Sequence, residues 1–173
     1  MSPKSFAVRI FLADGTIDGV KIIAKSKWSG RGMVIPRPQL PQEIEREELD
    51  APGVYVLIGP TAEGKEAGRP TLFIGCADPV CDRLGQHQAA TGFWTSAIIF
   101  TSKKDRLQQS HIEYITARLI QLAEAGKQVQ LANPEPPPAP ELTADEQAEV
   151  ETFIEHILSI CPLLGLTAFE KPQ

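Results

Sequence analysis

Long apolar runs are absent. Nothing in the 173 residues approaches the roughly 18–20 consecutive apolar residues that a membrane-spanning helix needs, and the opening MSPKSFAVRIF has no apolar core of signal-peptide length. The expectation is a cytoplasmic chain with no membrane partner. Cysteine is scarce and odd in number: Cys76, Cys81 and Cys161 make a poor disulfide framework and fit free thiols in a reducing compartment. Cys76 and Cys81 with His87 match no standard zinc spacing and lack a fourth ligand. Aromatic residues are only 6% of the chain, which fits a soluble globular protein with few rings to place.

Positive charge is also in deficit, with a net charge of −5, but the deficit is local. Residues 1–42 hold seven basic residues against Asp14 and Asp18, whereas residues 129–173 hold eight acidic residues against Lys171. The acidity belongs to the tail, and phosphate contacts stay open to the front, with Lys25, Lys27 and Arg31 as candidate substrate-binding residues beside Lys21.

SFAVRIFL and VKIIAKSKW, joined through Asp14-Gly15, predict an opening β-hairpin. The glycines and prolines of WSGRGMVIPRPQLPQEIEREEL predict a loop leading into a short charged helix that ends near Leu49. GVYVLIG, TLFIG and FWTSAIIFT are the next strands, the first two paired as a hairpin through a long loop. Asp78-Pro79 predicts a helix over 79–90, and Ile112, Ile115, Leu119 and Leu122 predict one from Lys104 to Ala125, stopped by Gly126. NPEPPPAPE is a proline-stiffened connector, and the capping box Thr143 to Glu146 opens a last acidic helix with Val150, Phe153, Ile154, Ile157 and Leu158 on one side.

These elements predict an α/β (α+β) fold: a small, mainly antiparallel three-stranded sheet flanked by helices, with an N-terminal β-hairpin extension and a C-terminal helix. The segments are 1–50, basic, with the hairpin and short helix; 51–128, the central domain; and 129–173, the connector and acidic helix packed on the core.

Arg83 and His87 lie four residues apart, on one face of the predicted helix one turn apart. Tyr55, on the neighbouring strand, has Gly53 beside it to leave open space. A guanidinium, an imidazole and a phenol that converge make an anion site, the first with paired donors for phosphate, the others able to move protons. The plainer reading of the same residues is a solvated helix face beside a half-buried strand tyrosine.

The ordered set of GVYVLIG, LFIG, a helix bearing R-L-x-x-H (Arg83 to His87) and a long helix containing A-R-L-I resembles the GIY-YIG nuclease family over about residues 53–125. The opening hairpin, Asn133-Pro134 and the terminal acidic helix are similar to a bacterial branch with that flanking layout. The resemblance implies phosphodiester hydrolysis with one divalent metal, Mg²⁺ or Mn²⁺, on a nucleic acid, DNA first. It implies Tyr55 as the group that positions or deprotonates the attacking water, Arg83 as the stabiliser of charge on the phosphate, and His87 as the proton's orienter or acceptor. Asn133 corresponds to a polar residue that follows the long helix in some members.

Two positions depart from the family. Phe73 stands where the second signature has tyrosine, so the ring stays and the hydroxyl is lost. Thr116 stands where the long helix carries the metal-binding glutamate, and a neutral hydroxyl is a poor substitute for a carboxylate on a hard cation. Glu113, three residues earlier on the same helix, is the candidate replacement ligand. Three readings follow: an attenuated endonuclease, a catalytically impaired nucleic-acid-binding module on the same scaffold, and a regulatory or protein-interaction domain that uses the acidic helix.

Overall fold

The computed structural model describes residues 5–61, 69–90, 92–104, 106–133 and 138–170. Most of the loop between the two signature strands, and residues 134–137 of the proline connector, lie outside the described residues.

β1 (Val8–Leu12) and β2 (Lys21–Lys25) pair as the expected antiparallel hairpin. Its turn places Gly15 at φ 78, left-handed backbone that glycine enters without steric cost. β3 (Gly30–Pro36) then runs antiparallel to β2. β4 (Gly53–Thr61) and β5 (Pro70–Ala77) form the second hairpin, β6 (Ser96–Ser102) pairs with both β3 and β4, and the two-residue β7 (Gln130–Leu131) joins β5 in parallel. The result is one seven-stranded mixed sheet, ordered β1-β2-β3-β6-β4-β5-β7, in place of the predicted three strands with a hairpin appended.

β3 makes the difference. Its glycines and Pro36 read as loop punctuation, but a Cβ on Gly30 would sit 2.2 Å from the Trp28 indole, so the glycine is there to let the ring cross the strand. Pro36 falls at the strand end, where a missing donor matters least.

Helices cover both faces. α1 (Leu40–Glu43) and α2 (Val80–Ala90) lie on the side that buries Met33, Ile35, Tyr55, Leu57 and Ile99. α3 (Gln109–Gly126) and α4 (Ala144–Ile160) lie on the side that buries Ile23, Val54, Val56, Ile74 and Phe100. β4 is therefore apolar on both faces, which explains the unbroken run GVYVLI.

The helix expected to reach Leu49 is one turn, α1, followed by a 3₁₀ turn over Glu47–Leu49. α3 starts at Gln109 rather than Lys104 and ends with Lys127, not Gly126, in the left-handed conformation at φ 54. Gly126 serves close approach instead: a Cβ there would stand 2.5 Å from the Glu170 carbonyl. The Thr143 hydroxyl accepts from the Glu146 amide at 3.2 Å and caps α4 as its sequence signature predicts. The segments 1–50, 51–128 and 129–173 share this one sheet and its cores. No helix of the described residues is long and apolar enough to cross a membrane.

Candidate active site

Strand register builds the site. Tyr55 on β4 stands opposite Gly75 on β5, and Leu57 opposite Phe73, so Tyr55 and Phe73 share the α2 face of the sheet. The Tyr55 side chain reaches across β5, and Gly75 is what admits it: a Cβ at that position would meet Tyr55 Oη at 2.4 Å. Gly75→Ala is expected to displace the phenol and to lower stability by about 1–3 kcal/mol, as overpacking does. Thermal denaturation reads the loss, and an unchanged melting point would reject this account of the glycine.

α2 then supplies both partners. Tyr55 Oη and His87 Nε2 are 2.8 Å apart, and the Arg83 guanidinium stands near enough to pull on the charge of the same hydroxyl. The phenol donates to Nε2 in the tautomer that leaves this nitrogen unprotonated, and accepts from it in the other. The rings lock together: Phe73 lies 5.0 Å from His87 and stacks on Tyr55 at 6.3 Å and 20°, while Tyr55 and His87 meet edge-on at 5.4 Å. Phe73 thus packs against both rings and brings no hydroxyl to them.

The electrostatics keep both groups neutral. Burial pushes the Tyr55 phenol well up from its ordinary value of 10.0, against the opposing pull of Arg83. Burial, with Arg83 adding to it, holds His87 below 6.5. Tyr55 has no exposed surface, His87 is half-buried and Arg83 is exposed. A phosphate would therefore meet Arg83 first, and water reaches Oη only when a neighbouring side chain swings aside.

The far end of α2 is pinned by a residue that the sequence did not single out. Arg37 donates to the carbonyls of Gln88 and Trp94, at 3.0 and 3.1 Å, and lies over the Trp94 ring at 4.5 Å. Trp94 Nε1 in turn donates to the His87 carbonyl at 3.4 Å. Arg37 sits between two prolines in a stretch without periodicity, which offers no signal for this role.

On the other side of β5, Cys76 points toward α3 and connects the remaining candidates. Burial raises its thiol, the Glu113 charge raises it further, and the Thr116 hydroxyl and Arg83 act against the rise. Thr116 is 3% exposed and its hydroxyl donates to the Ile112 carbonyl at 2.7 Å, so it is committed to the core. Glu113 is half-exposed and makes no ion pair among the described residues. The described residues hold no group of three or more His, Cys, Asp or Glu side chains that could grip an ion. One carboxylate still suits a hard cation that takes its other oxygens from water and substrate phosphate, as Mg²⁺ commonly does.

Asn133 is engaged elsewhere. Its side chain accepts from the Ile74 amide at 3.1 Å and donates to the Ile74 carbonyl at 2.8 Å, clamping β5 just beyond the end of β7. Strand alternation divides the basic candidates: Lys25 shares the face of Ile23 and bonds His156 Nδ1 on α4 at 2.6 Å, whereas Arg31, adjacent to buried Gly32, projects from the opposite face beside Met33. Lys27 occupies the β2–β3 turn at φ 61. The three do not form one surface, and Lys25 and Tyr55 lie on opposite sides of the sheet.

Neither a family model, nor a curated protein, nor a solved structure matches this chain.

Proposed function

We propose that the protein is a GIY-YIG-type phosphodiesterase that hydrolyses DNA with a single divalent metal at an attenuated rate. The observation that carries the reading is the Tyr55 hydroxyl 2.8 Å from His87 Nε2, under the electrostatic pull of Arg83 and with Gly75 leaving room for it. Arg83, exposed at the mouth, binds a non-bridging phosphate oxygen and stabilises the charge that builds on it. The attacking water passes its proton to Tyr55 Oη as the phenol proton moves to His87 Nε2, so no free phenolate forms despite the raised phenol. Glu113 is the residue that would hold Mg²⁺ or Mn²⁺, which when bound polarises the phosphate and the leaving oxygen. Phe73 packs the relay and Thr116 fills the core, and the loss of two polar groups from a cooperating set accounts for the attenuation.

A second reading draws on the same two positions. With Thr116 sealed in the core and no hydroxyl on Phe73, the scaffold would bind nucleic acid without turning it over. Labelled single- and double-stranded DNA incubated with Mg²⁺ or Mn²⁺ separates the two. The enzyme reading expects divalent-dependent product that falls at least tenfold in Glu113→Gln, with more metal needed for half-maximal rate. No product from the wild type, together with binding whose logarithm falls linearly with log salt, would establish the second reading instead.

A further inference from the structure

The seven-stranded sheet has one long bare edge. β1 pairs with β2 alone, and among the described residues no strand lies beyond it. Edge strands are ordinarily blunted by charge, proline or a bulge, but VRIFL pairs with β2 in unbroken register and carries a single charge, Arg9. Large exposed apolar side chains collect on and beside this strand: Phe6 is 44% exposed, Ile10 42%, Phe11 58% and Ile17 73%.

We propose that β1 pairs antiparallel with β1 of a second copy, about a two-fold axis at Ile10. Hydrogen-bond parity supports this register. The Ala13 amide donates to Val20 and the Ser26 amide donates to the Ala7 carbonyl, so the odd-numbered residues face β2. The backbone groups of Val8, Ile10 and Leu12 therefore point out of the edge. A two-fold at Ile10 pairs Ile10 with its own copy and Val8 with Leu12. It forms two Ile10–Ile10 bonds and two from the Leu12 amide to the Val8 carbonyl; the Leu12 carbonyl already accepts from Gly15 at 3.0 Å.

Side chains favour the same axis over its neighbours. Arg9 then faces Phe11 of the partner in a non-hydrogen-bonded pair, the closer kind, where a guanidinium can lie on the ring. An axis at Arg9 would set like charges opposite each other, and an axis at Phe11 would shorten the overlap and leave Arg9 opposite an alanine. The Ile10 axis also brings Phe6 of one copy beside the Asp14–Ile17 turn of the other, so these four of the five large exposed apolar residues among the described residues fall at one contact. This pairing is independent of the chemistry assigned to Tyr55.

Sedimentation equilibrium of the full chain from about 1 to 500 µM, the span over which an interface of this small class dissociates, tests the proposal. The expected mass rises from 18.9 kDa toward twice that value. Ile10→Pro removes an outward amide that β2 does not use, so it is expected to hold the chain at the monomer mass with an unchanged circular dichroism spectrum. Arg9→Glu, a surface change, is expected to weaken association at least tenfold. A wild-type mass that stays at 18.9 kDa throughout, or an Ile10→Pro variant that dimerises like the wild type, overturns the pairing.

Discussion

Tyr55→Phe is expected to lower the rate of the proposed DNA cleavage by about 10²–10⁴-fold, the range that a positioned proton-transfer group contributes. Shape is conserved and the ring still stacks on Phe73, so the fold persists, at a cost of about 1 kcal/mol for the lost hydrogen bond. The contrast between a large kinetic effect and a small thermal one marks the hydroxyl as chemical rather than structural; equal rates for the two proteins would remove Tyr55 from the mechanism. Arg83→Ala offers a second readout, at the neighbouring His87 ring, that needs no turnover. Burial, then Arg83, hold His87 below 6.5, so the ring is neutral at pH 7 and takes its proton only on acidification. In a proton NMR titration the His87 midpoint should move up toward 6.5 in Arg83→Ala. The same shift has a sign for stability: the unfolded chain protonates this ring more readily than the folded one, so stability falls as pH drops through 6.5.

Truncation after Asn133 is expected to abolish cooperative unfolding altogether. α4 inserts Phe153, Ile154, Ile157 and Ile160 into the same cluster as β4 and β6. Its carboxylates also pair with α3: Glu146 with His111 at 3.1 Å, and Glu151 with Tyr114 at 2.6 Å and Arg118 at 3.0 Å. Each fully buried apolar side chain is worth about 1.5–3 kcal/mol, so the helix contributes on the order of 10 kcal/mol, as much as the whole stability of many domains. An acidic helix that merely masked a basic surface would release a folded protein with tighter DNA binding when removed. A truncated chain with a sharp thermal transition would revive that reading; a broad, non-cooperative melt discards it.

The central hairpin, α2, α3 and α4 were legible because their signals are local. Short runs of β-branched and aromatic residues set the strands, helical periodicity set the long helices, and spacing four residues apart put Arg83 and His87 on one face. The convergence of Tyr55 with that face followed from register, which Gly75 fixes and the signature contains. What stayed hidden depended on pairing at a distance. Gly30-Arg31-Gly32 looks like a loop until Trp28 is laid across it, and β7, two residues long, has no periodicity to read. The division of Lys25 from Arg31 was written in strand alternation, but only once Gly30–Pro36 is recognised as a strand. Thr116 illustrates another limit: its place in the helix was visible, whereas the Ile112 carbonyl that occupies its hydroxyl was not.

The position of β6 governs how the chain assembles. β3, residues 30–36, waits for residues 96–102 before its second edge is filled, and β4 waits for the same strand. On a ribosome that adds about 5–20 residues per second, the first three strands stand alone for roughly 3–13 s with Met33 and Ile35 uncovered. The β4–β5 hairpin closes on its own in microseconds. One late strand thus joins the first three strands to the β4–β5 hairpin. Substitutions within Ser96–Ser102 will therefore lower yield, through aggregation of the unjoined pieces during synthesis, as well as melting temperature, because Ala97, Ile98, Ile99 and Phe100 are buried.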